Sequence, residues 1–586
     1  MAEILMKEGG KMDTERLLPK KIGYCIFDFM GFWCALLWKA ERDLAAAGNL
    51  IWNGSYIGRL LAFSLLGVLA GVVICTVVYR TAEHRGSHLK RQTAQTASVL
   101  TPGKVFGLSL LMILLCWLPC YLAYYPGICS YDTTIQLCQI TENAFNDHHP
   151  IAHTLLLQGA ITLGNTLFGS ANEGIAVWVA VQMVFLAAVF AYALMQVYRF
   201  RVRKGWMLCL ALYSMLYPFH WYMSVTTTKD TWFGAFFLLQ MISLCVMLAQ
   251  GDRTAWFSRE GVLFLIGTIG MVVFRNNGRY AVLVLLLFLL PALWRGKKQR
   301  RLYVTVFAYA VVGFLLGCMI TSALYRLTDA QQGDRREMLS MPIQQLARCM
   351  VYHGGIGMVE EDDNTMRPEH KALINDFLLD ESYREYRPDI SDPVKRHTNT
   401  YVVRYRAKEF ITTYLELLLQ YPGDFINAAL ATNAGYLTPG DVSHATINVN
   451  GRDSGLGYVQ TLWLDSLLKP QGIYRASKWE GLREVLENWA DENAYLNIPI
   501  FKYLFVPGTY LWFYLLLTGV ILVRRRWHML LPLSLVLGYF ATMLLGPTVQ
   551  LRYLYPIMIA APFVAPLSFA RDLRPSEEES GKTSDA

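Results

Sequence analysis

Asp132, Glu142, Asp147, His148 and His149, all able to handle a proton, fall within residues 126–150 (PGICSYDTTIQLCQITENAFNDHHP), a stretch with no lysine or arginine. A carboxylate beside a membrane surface can accept a proton from an attacking hydroxyl, and Asp132 follows closely on an apolar run that ends at Tyr125. The plainer alternative is an Asp that caps a helix over Thr133–Ile140. Pro150 suits a first helical turn, which sets His149 and His153 one turn apart. With Asp147 they are ligand types that suit Zn or Mn, and the same groups can hydrogen-bond to a phosphate or a sugar. Asp132, Asp147 and His149 are therefore candidate catalytic residues and His148 a candidate substrate contact, with the need for a divalent cation left open.

A second set is cationic. Lys229 lies in TTKD (227–230), Arg275, Asn276, Asn277 and Arg279 in RNNGR (275–279), and Arg552 and Tyr553 in GPTVQLRY (546–553). Cations gathered in short polar segments suggest an anionic ligand, phosphate above all, and a guanidinium can grip one with two parallel bonds. Against this stand a local Lys229–Asp230 pair and an interfacial Arg552 beside a tyrosine of the aromatic belt.

These segments are positioned by a membrane protein. The chain has 586 residues, 54% hydrophobic, 13% aromatic and only 17% charged, which excludes an ordinary soluble or disordered class. Apolar runs recur at about the 17–25 residues that cross a bilayer core. Twelve spans are expected: 22–38, 57–79, 105–125, 174–198, 206–226, 231–249, 261–274, 280–294, 302–323, 503–523, 529–545 and 554–570. The first lacks a small-residue cleavage site and is expected to stay in the chain.

With twelve spans, the basic loops (Arg80–Lys104, Arg199–Lys204, Arg295–Arg301 and Arg524–Arg526) share the cytoplasmic side with both termini, 1–21 and 571–586. The loop 126–173, residues 227–230, 275–279 and 546–553 and the long segment 324–502 then face outward. This divides the chain into a membrane domain, 22–323, an extracytoplasmic domain, 324–502, and C-terminal membrane helices, 503–570.

The 324–502 segment reads as mostly helical. Apolar spacing predicts helices over Tyr401–Leu419, stopped by Pro422, and over Trp479–Ala490, with an irregular loop at Leu437–Tyr458. Ile151–Phe168 is expected to lie on, or dip into, the outer surface with an apolar face toward lipid. A Cys129–Cys138 bridge across Asp132 is one option in an oxidising compartment.

The order of span, outer loop with Tyr131-Asp132, then Asp147-His148-His149-Pro150, surface helix and span resembles the first outer loop of GT-C-type membrane glycosyltransferases, particularly the protein mannosyltransferase branch. Arg552-Tyr553 with Tyr555-Pro556 is similar to a pattern near the last spans of such enzymes. Tyr125-Pro126-Gly127, His149-Pro150 and Arg275-Asn276-Asn277-Gly278 also resemble elements of an uncharacterised group of bacterial multi-pass proteins. The likeness covers roughly 105–300 and 540–570, and the chain departs from the mannosyltransferase pattern with one acid at Asp132 and His-Pro-Ile at 149–151.

The resemblance implies an all-α polytopic GT-C-like fold and transfer of a sugar from a polyprenyl-phosphate donor to an extracytoplasmic acceptor. In that reading Asp132 acts as base, His149 and Asp147 position substrate, and Arg552 and Arg275 hold the lipid phosphate. The partners would be the lipid-linked donor, the acceptor and membrane lipids, with no nucleic acid. The rivals are a glycan polymerase or ligase of another fold, and a lipid or polysaccharide flippase. Few ionisable residues within the expected spans weigh against transport.

Overall fold

The computed structural model describes residues 17–88, 100–251, 256–296, 299–331, 333, 335–439, 468–491 and 494–569. Among these the secondary structure is helical, with β contacts reduced to isolated bridges. The order is α1 (Lys20–Ala47), α2 (Gly54–His88), α3 (Pro102–Ala123), α4 (Tyr131–Glu142), α5 (Ile151–Phe168), α6 (Ala171–Arg199), α7 (Lys204–Leu216), α8 (Pro218–Val225), α9 (Lys229–Gln250), α10 (Arg259–Phe274), α11 (Asn276–Arg295) and α12 (Arg300–Leu327). An inserted helical region follows: α13 (Ser340–His353), α14 (Pro368–Phe377), α15 (Asp392–Lys395), α16 (Thr400–Tyr405), α17 (Ala407–Gln420), α18 (Pro422–Thr432) and α19 (Glu480–Asp491). The chain ends with α20 (Pro507–Val523), α21 (Leu530–Met543) and α22 (Leu551–Ser568).

Eight of these, α1, α2, α3, α6, α9, α11, α12 and α22, are long and apolar enough to cross a membrane. The four other expected spans coincide with shorter helices: α7 with α8, parted at Pro218, then α10, α20 and α21. α6, α9 and α22 are largely buried by their neighbours, whereas α2 exposes Leu61, Leu65, Leu66 and Leu69, the outward apolar surface of a lipid-facing helix. The α1–α2 pair closes through glycine. A Cβ on Gly67 would stand 1.9 Å from the Gly31 carbonyl oxygen, so side chains larger than hydrogen are excluded from this crossing.

Hydrogen bonds define two ends of the bundle. At one, Leu18 N donates to Val523 O (2.9 Å), Tyr198 to Leu100 O (2.9 Å), Arg526 to Ser568 O (3.2 Å) and Arg199 to Glu260 (3.4 Å). Arg199 and Arg524–Arg526 are grouped here. At the other end the inserted region packs, through Ala476 N to Tyr125 O (3.0 Å), Ser391 N to Pro547 O (3.0 Å) and Asn433 Nδ2 to Leu544 O (3.1 Å).

The insert has its own core, including Ile343, Leu346, Phe377, Phe410, Leu417 and Phe425. Its expected helix over Tyr401–Leu419 is broken at Arg406, whose guanidinium turns to Asp376 and Glu409 (both 2.6 Å) instead of continuing the apolar register. Most of the expected loop Leu437–Tyr458 lies outside the described residues, as do Lys7, Lys11, Lys90, Arg91, Lys297, Lys298 and the tail from Arg571.

α5 occupies its expected range but packs tightly on α6, where a Cβ on Gly174 would meet the Ala160 carbonyl oxygen at 2.2 Å. Leu156, Leu163, Leu167 and Phe168 remain exposed. Cys129 and Cys138 are free thiols. Cys129 precedes α4 and Cys138 lies well along it, so helical rise parts them by roughly 12 Å, beyond the reach of a disulfide.

Candidate functional site

The local fold around Asp132 is set by a short extended contact. Ile128 N donates to Val225 O (2.8 Å) and Thr227 N to Ile128 O (2.9 Å), which lays the segment before α4 beside the segment before α9. Gly127 makes the approach, with φ +148° and a hypothetical Cβ only 2.5 Å from Val179 Cγ2. Thr133 donates to Thr227 O, and Thr227 Oγ1 to Ile128 O (3.0 Å). From α6, Gln182 Nε2 donates to Ser224 O (3.0 Å) and Thr226 O (2.8 Å), which satisfies two carbonyls where α8 ends in the apolar interior.

This framework brings five charged side chains into one row. Lys229 Nζ lies 2.5 Å from Asp132 Oδ2, and Arg552 Nη1 lies 2.7 Å from the same oxygen. Arg552 Nη1 also reaches Asp230 Oδ2 at 3.2 Å, and Asp230 Oδ1 pairs with Arg275. The order is Lys229, Asp132, Arg552, Asp230, Arg275: alternating in sign, cationic at both ends, and buried throughout apart from about a tenth of the side-chain surface at each end. Every member stands at the start of a helix: Asp132 in the first turn of α4, Lys229 and Asp230 of α9, Arg552 of α22, and Arg275 at the N-cap of α11. Converging helix N-termini add positive potential to the three cations, a setting suited to an anion.

Arg552 is the hub. Its Nε donates to Gln550 Oε1 (2.7 Å) and its Nη2 to the Tyr553 hydroxyl (3.1 Å), while the Tyr553 ring lies 4.6 Å from the Arg552 and 4.7 Å from the Arg275 guanidinium carbons. In this structure the Arg552 guanidinium contacts Asp132, Asp230, Gln550 and Tyr553. Lys229 and Arg275 hold the ends of the row.

Burial pushes the Asp132 carboxyl up, but Arg552 and then Lys229 overcome this and hold it well below the usual carboxylate range. His149, buried beside Lys229, is held well below the usual imidazole range, first by burial and then by that cation. Lys229 Nζ has only hydrogens to offer, so His149 Nδ1, 3.2 Å away, must accept. The ring proton then sits on Nε2, a buried donor without a partner among the described residues.

The other candidate residues are placed as follows. Asp132 is not the cap of its helix: Ser130 occupies that position and the carboxylate turns to the cations. Lys229 and Asp230 do not pair with each other, because consecutive residues of a helix point to different neighbours. Asp147 lies away from the row and accepts from Gly333 N, tying the loop to the insert, and His148 is half-exposed, 4.0 Å from Glu337. His153 bonds Gln136 (3.0 Å) rather than joining His149, and no group of three His, Cys, Asp or Glu able to hold a metal occurs among the described residues.

Asn276 and Asn277 follow Arg275 on α11 without a bond to the row, and Arg279 is half-buried with its Nε unpartnered. Asp230 and Gln550 were not singled out from sequence. Asp230 carried a usable signal: an acid at the start of an apolar helix is costly to bury unless a cation meets it.

No curated protein and no solved structure matches the chain. A family model does, over residues 137–583, a range that includes His149, Lys229, Asp230, Arg275 and Arg552 and opens just after Asp132. The chain belongs to a family of unknown function, DUF6020.

Proposed function

We propose that the protein is a GT-C-like glycosyltransferase with twelve spans that moves a sugar from a polyprenyl-phosphate donor to an extracytoplasmic acceptor. The observation that carries the reading is the convergence of Lys229, Asp132, Arg552, Asp230 and Arg275, from segments far apart in sequence, at the helix starts of one end of an apolar bundle. That end is taken as outer, since the basic residues of the short loops group at the opposite one. A lipid-linked donor suits a site among membrane helices, and the cations at the two ends of the row suit its phosphate.

In this mechanism the donor phosphate meets Lys229, Arg275 and the His149 Nε2–H. By drawing Lys229 away from Asp132 it raises the basicity of that carboxylate, which is too low in the paired state for efficient proton transfer. The acceptor oxygen bonds to the sugar's anomeric carbon as the bond from that carbon to the phosphate oxygen breaks. The acceptor proton passes to Asp132, and the phosphate leaves with the bonding electrons, its added charge met by the two cations.

The test is sugar transfer by the purified full chain from a synthetic polyprenyl-phosphate sugar, read as release of polyprenyl phosphate. Donor turnover by wild type that persists in Asp132→Asn at the same rate would refute the assignment of the base, and absence of turnover with any such donor would refute the donor class.

A further inference from the structure

α17 carries a face that the insert's core does not use. Lys408, Ile411, Leu415 and Leu419 fall within about 80° of one another on the helical wheel, at 100° per residue. All are exposed, Leu419 at 81%, while Phe410 and Leu417 on the other side are buried. Arg404 and Tyr405, on α16 just before it, are also exposed and stack at 5.3 Å. Aliphatic residues at one end and Tyr, Arg and Lys at the other form the pattern of a helix lying in a lipid headgroup layer.

The position of α17 favours that occupant over a protein. Its aliphatic end runs directly into α18, and α18 is fastened to the turn joining α1 and α2, two of the helices able to cross a membrane. Trp52 Nε1 donates to Asn427 (2.9 Å), Asn427 Nδ2 to Leu50 O (3.0 Å), and Gly423 lies so close to Trp52 that a Cβ would stand 2.9 Å from its ring. Leu430 of α18 packs among Ala40, Leu44 and Leu60 of the same pair. Leu419 is thus held a few residues from the ends of two lipid-facing helices, at the depth where a bilayer surface begins.

We propose that the exposed face of α16 and α17 rests on the membrane and binds anionic lipid headgroups through Arg404 and Lys408, with Ile411, Leu415 and Leu419 in the acyl boundary. This anchors the insert independently of any transferase activity.

The test places p-benzoylphenylalanine at Leu415 in the full chain, reconstituted in phosphatidylcholine vesicles with and without phosphatidylglycerol, and reads photoadducts by mass spectrometry. Lipid adducts are expected, several-fold enriched for phosphatidylglycerol, with the enrichment lost in Arg404→Glu/Lys408→Glu. The same crosslinker at Glu369, an exposed position on α14, gives the background. A crosslinked dimer, adduct yields at the Glu369 level, or adducts with no preference for phosphatidylglycerol would each overturn the proposal.

Discussion

Arg552 and Asp132, separated by most of the chain, meet at 2.7 Å through a single guanidinium nitrogen that also contacts Asp230 at 3.2 Å. One nitrogen shared by two buried carboxylates makes Arg552 the centre of the row, and its removal leaves both acids short of a cation.

Arg552→Lys keeps the charge and loses the planar fork, so a single ammonium must replace bonds to Asp132, Asp230, Gln550 and Tyr553. A destabilisation of about 2 kcal/mol is expected from lost charged hydrogen bonds, together with reduced activity. Thermal unfolding of the purified protein checks it, and an unchanged midpoint would contradict the hub assignment.

Asp230 is fully buried between Arg275 and Arg552. Asp230→Ala should cost roughly 3–5 kcal/mol, the range for leaving a buried charge uncompensated. Adding Arg275→Met should recover part of that loss, because the uncompensated partner goes too. A double variant no more stable than Asp230→Ala would argue against direct pairing.

Asp132→Asn is expected to lower the rate of the proposed transfer by about 10²-fold. Since the carboxylate also binds Lys229 and Arg552, the variant should lose stability as well, so rate alone does not assign a role. A double-mutant cycle with Lys229→Gln, read by unfolding, should give a coupling of about 1–3 kcal/mol for the pair. A rate loss much larger than that coupling accounts for marks chemistry.

The pH dependence follows from His149. Its folded value is depressed, so between that value and the ordinary imidazole range near 6.5 the unfolded chain binds more protons. Stability therefore rises with pH across this window and falls on acidification below about pH 6.5, by up to about 1.4 kcal/mol per pH unit for one group. Asp132, also depressed, adds its own loss only below about pH 4. The difference between wild type and His149→Gln, measured from pH 7 to 5, isolates the imidazole; parallel curves would show that it is not buried in the neutral form.

Gly67 faces the Gly31 backbone at the α1–α2 crossing. Gly67→Val has no room there, and a loss of several degrees in the unfolding midpoint is expected, with Gly54→Ala, in open space at the start of α2, as the neutral comparison. Equal midpoints would show that the helices part without cost.

The apolar runs were legible because burial in lipid leaves a long, uniform signature. Lys229, Arg275 and Arg552 stood out because a cation is conspicuous in a short polar segment between apolar runs. Their pairing was not legible: which acid meets which cation depends on the Ile128–Thr226 contact and on the α10–α11 joint, neither of which has a periodic signature. Asp147 makes a contact that was not legible for a similar reason. Its proximity in sequence to His149 says nothing about the turn that directs it to Gly333.

The odd number of charges in the row has a thermodynamic consequence for turnover. Among the described residues, with His149 neutral, three cations and two carboxylates leave one positive charge, so a phosphodiester with a single negative charge brings this row to neutrality. Cleavage turns that diester into a monoester carrying about −1.5 to −2. On the proposed reaction the proton passed to Asp132 removes one negative charge from the row as the phosphate gains one, so the occupied site stays near neutrality through the chemical step. Release of the spent lipid phosphate is thereby linked to the proton leaving Asp132, which restores a carboxylate that competes for Lys229 and Arg552.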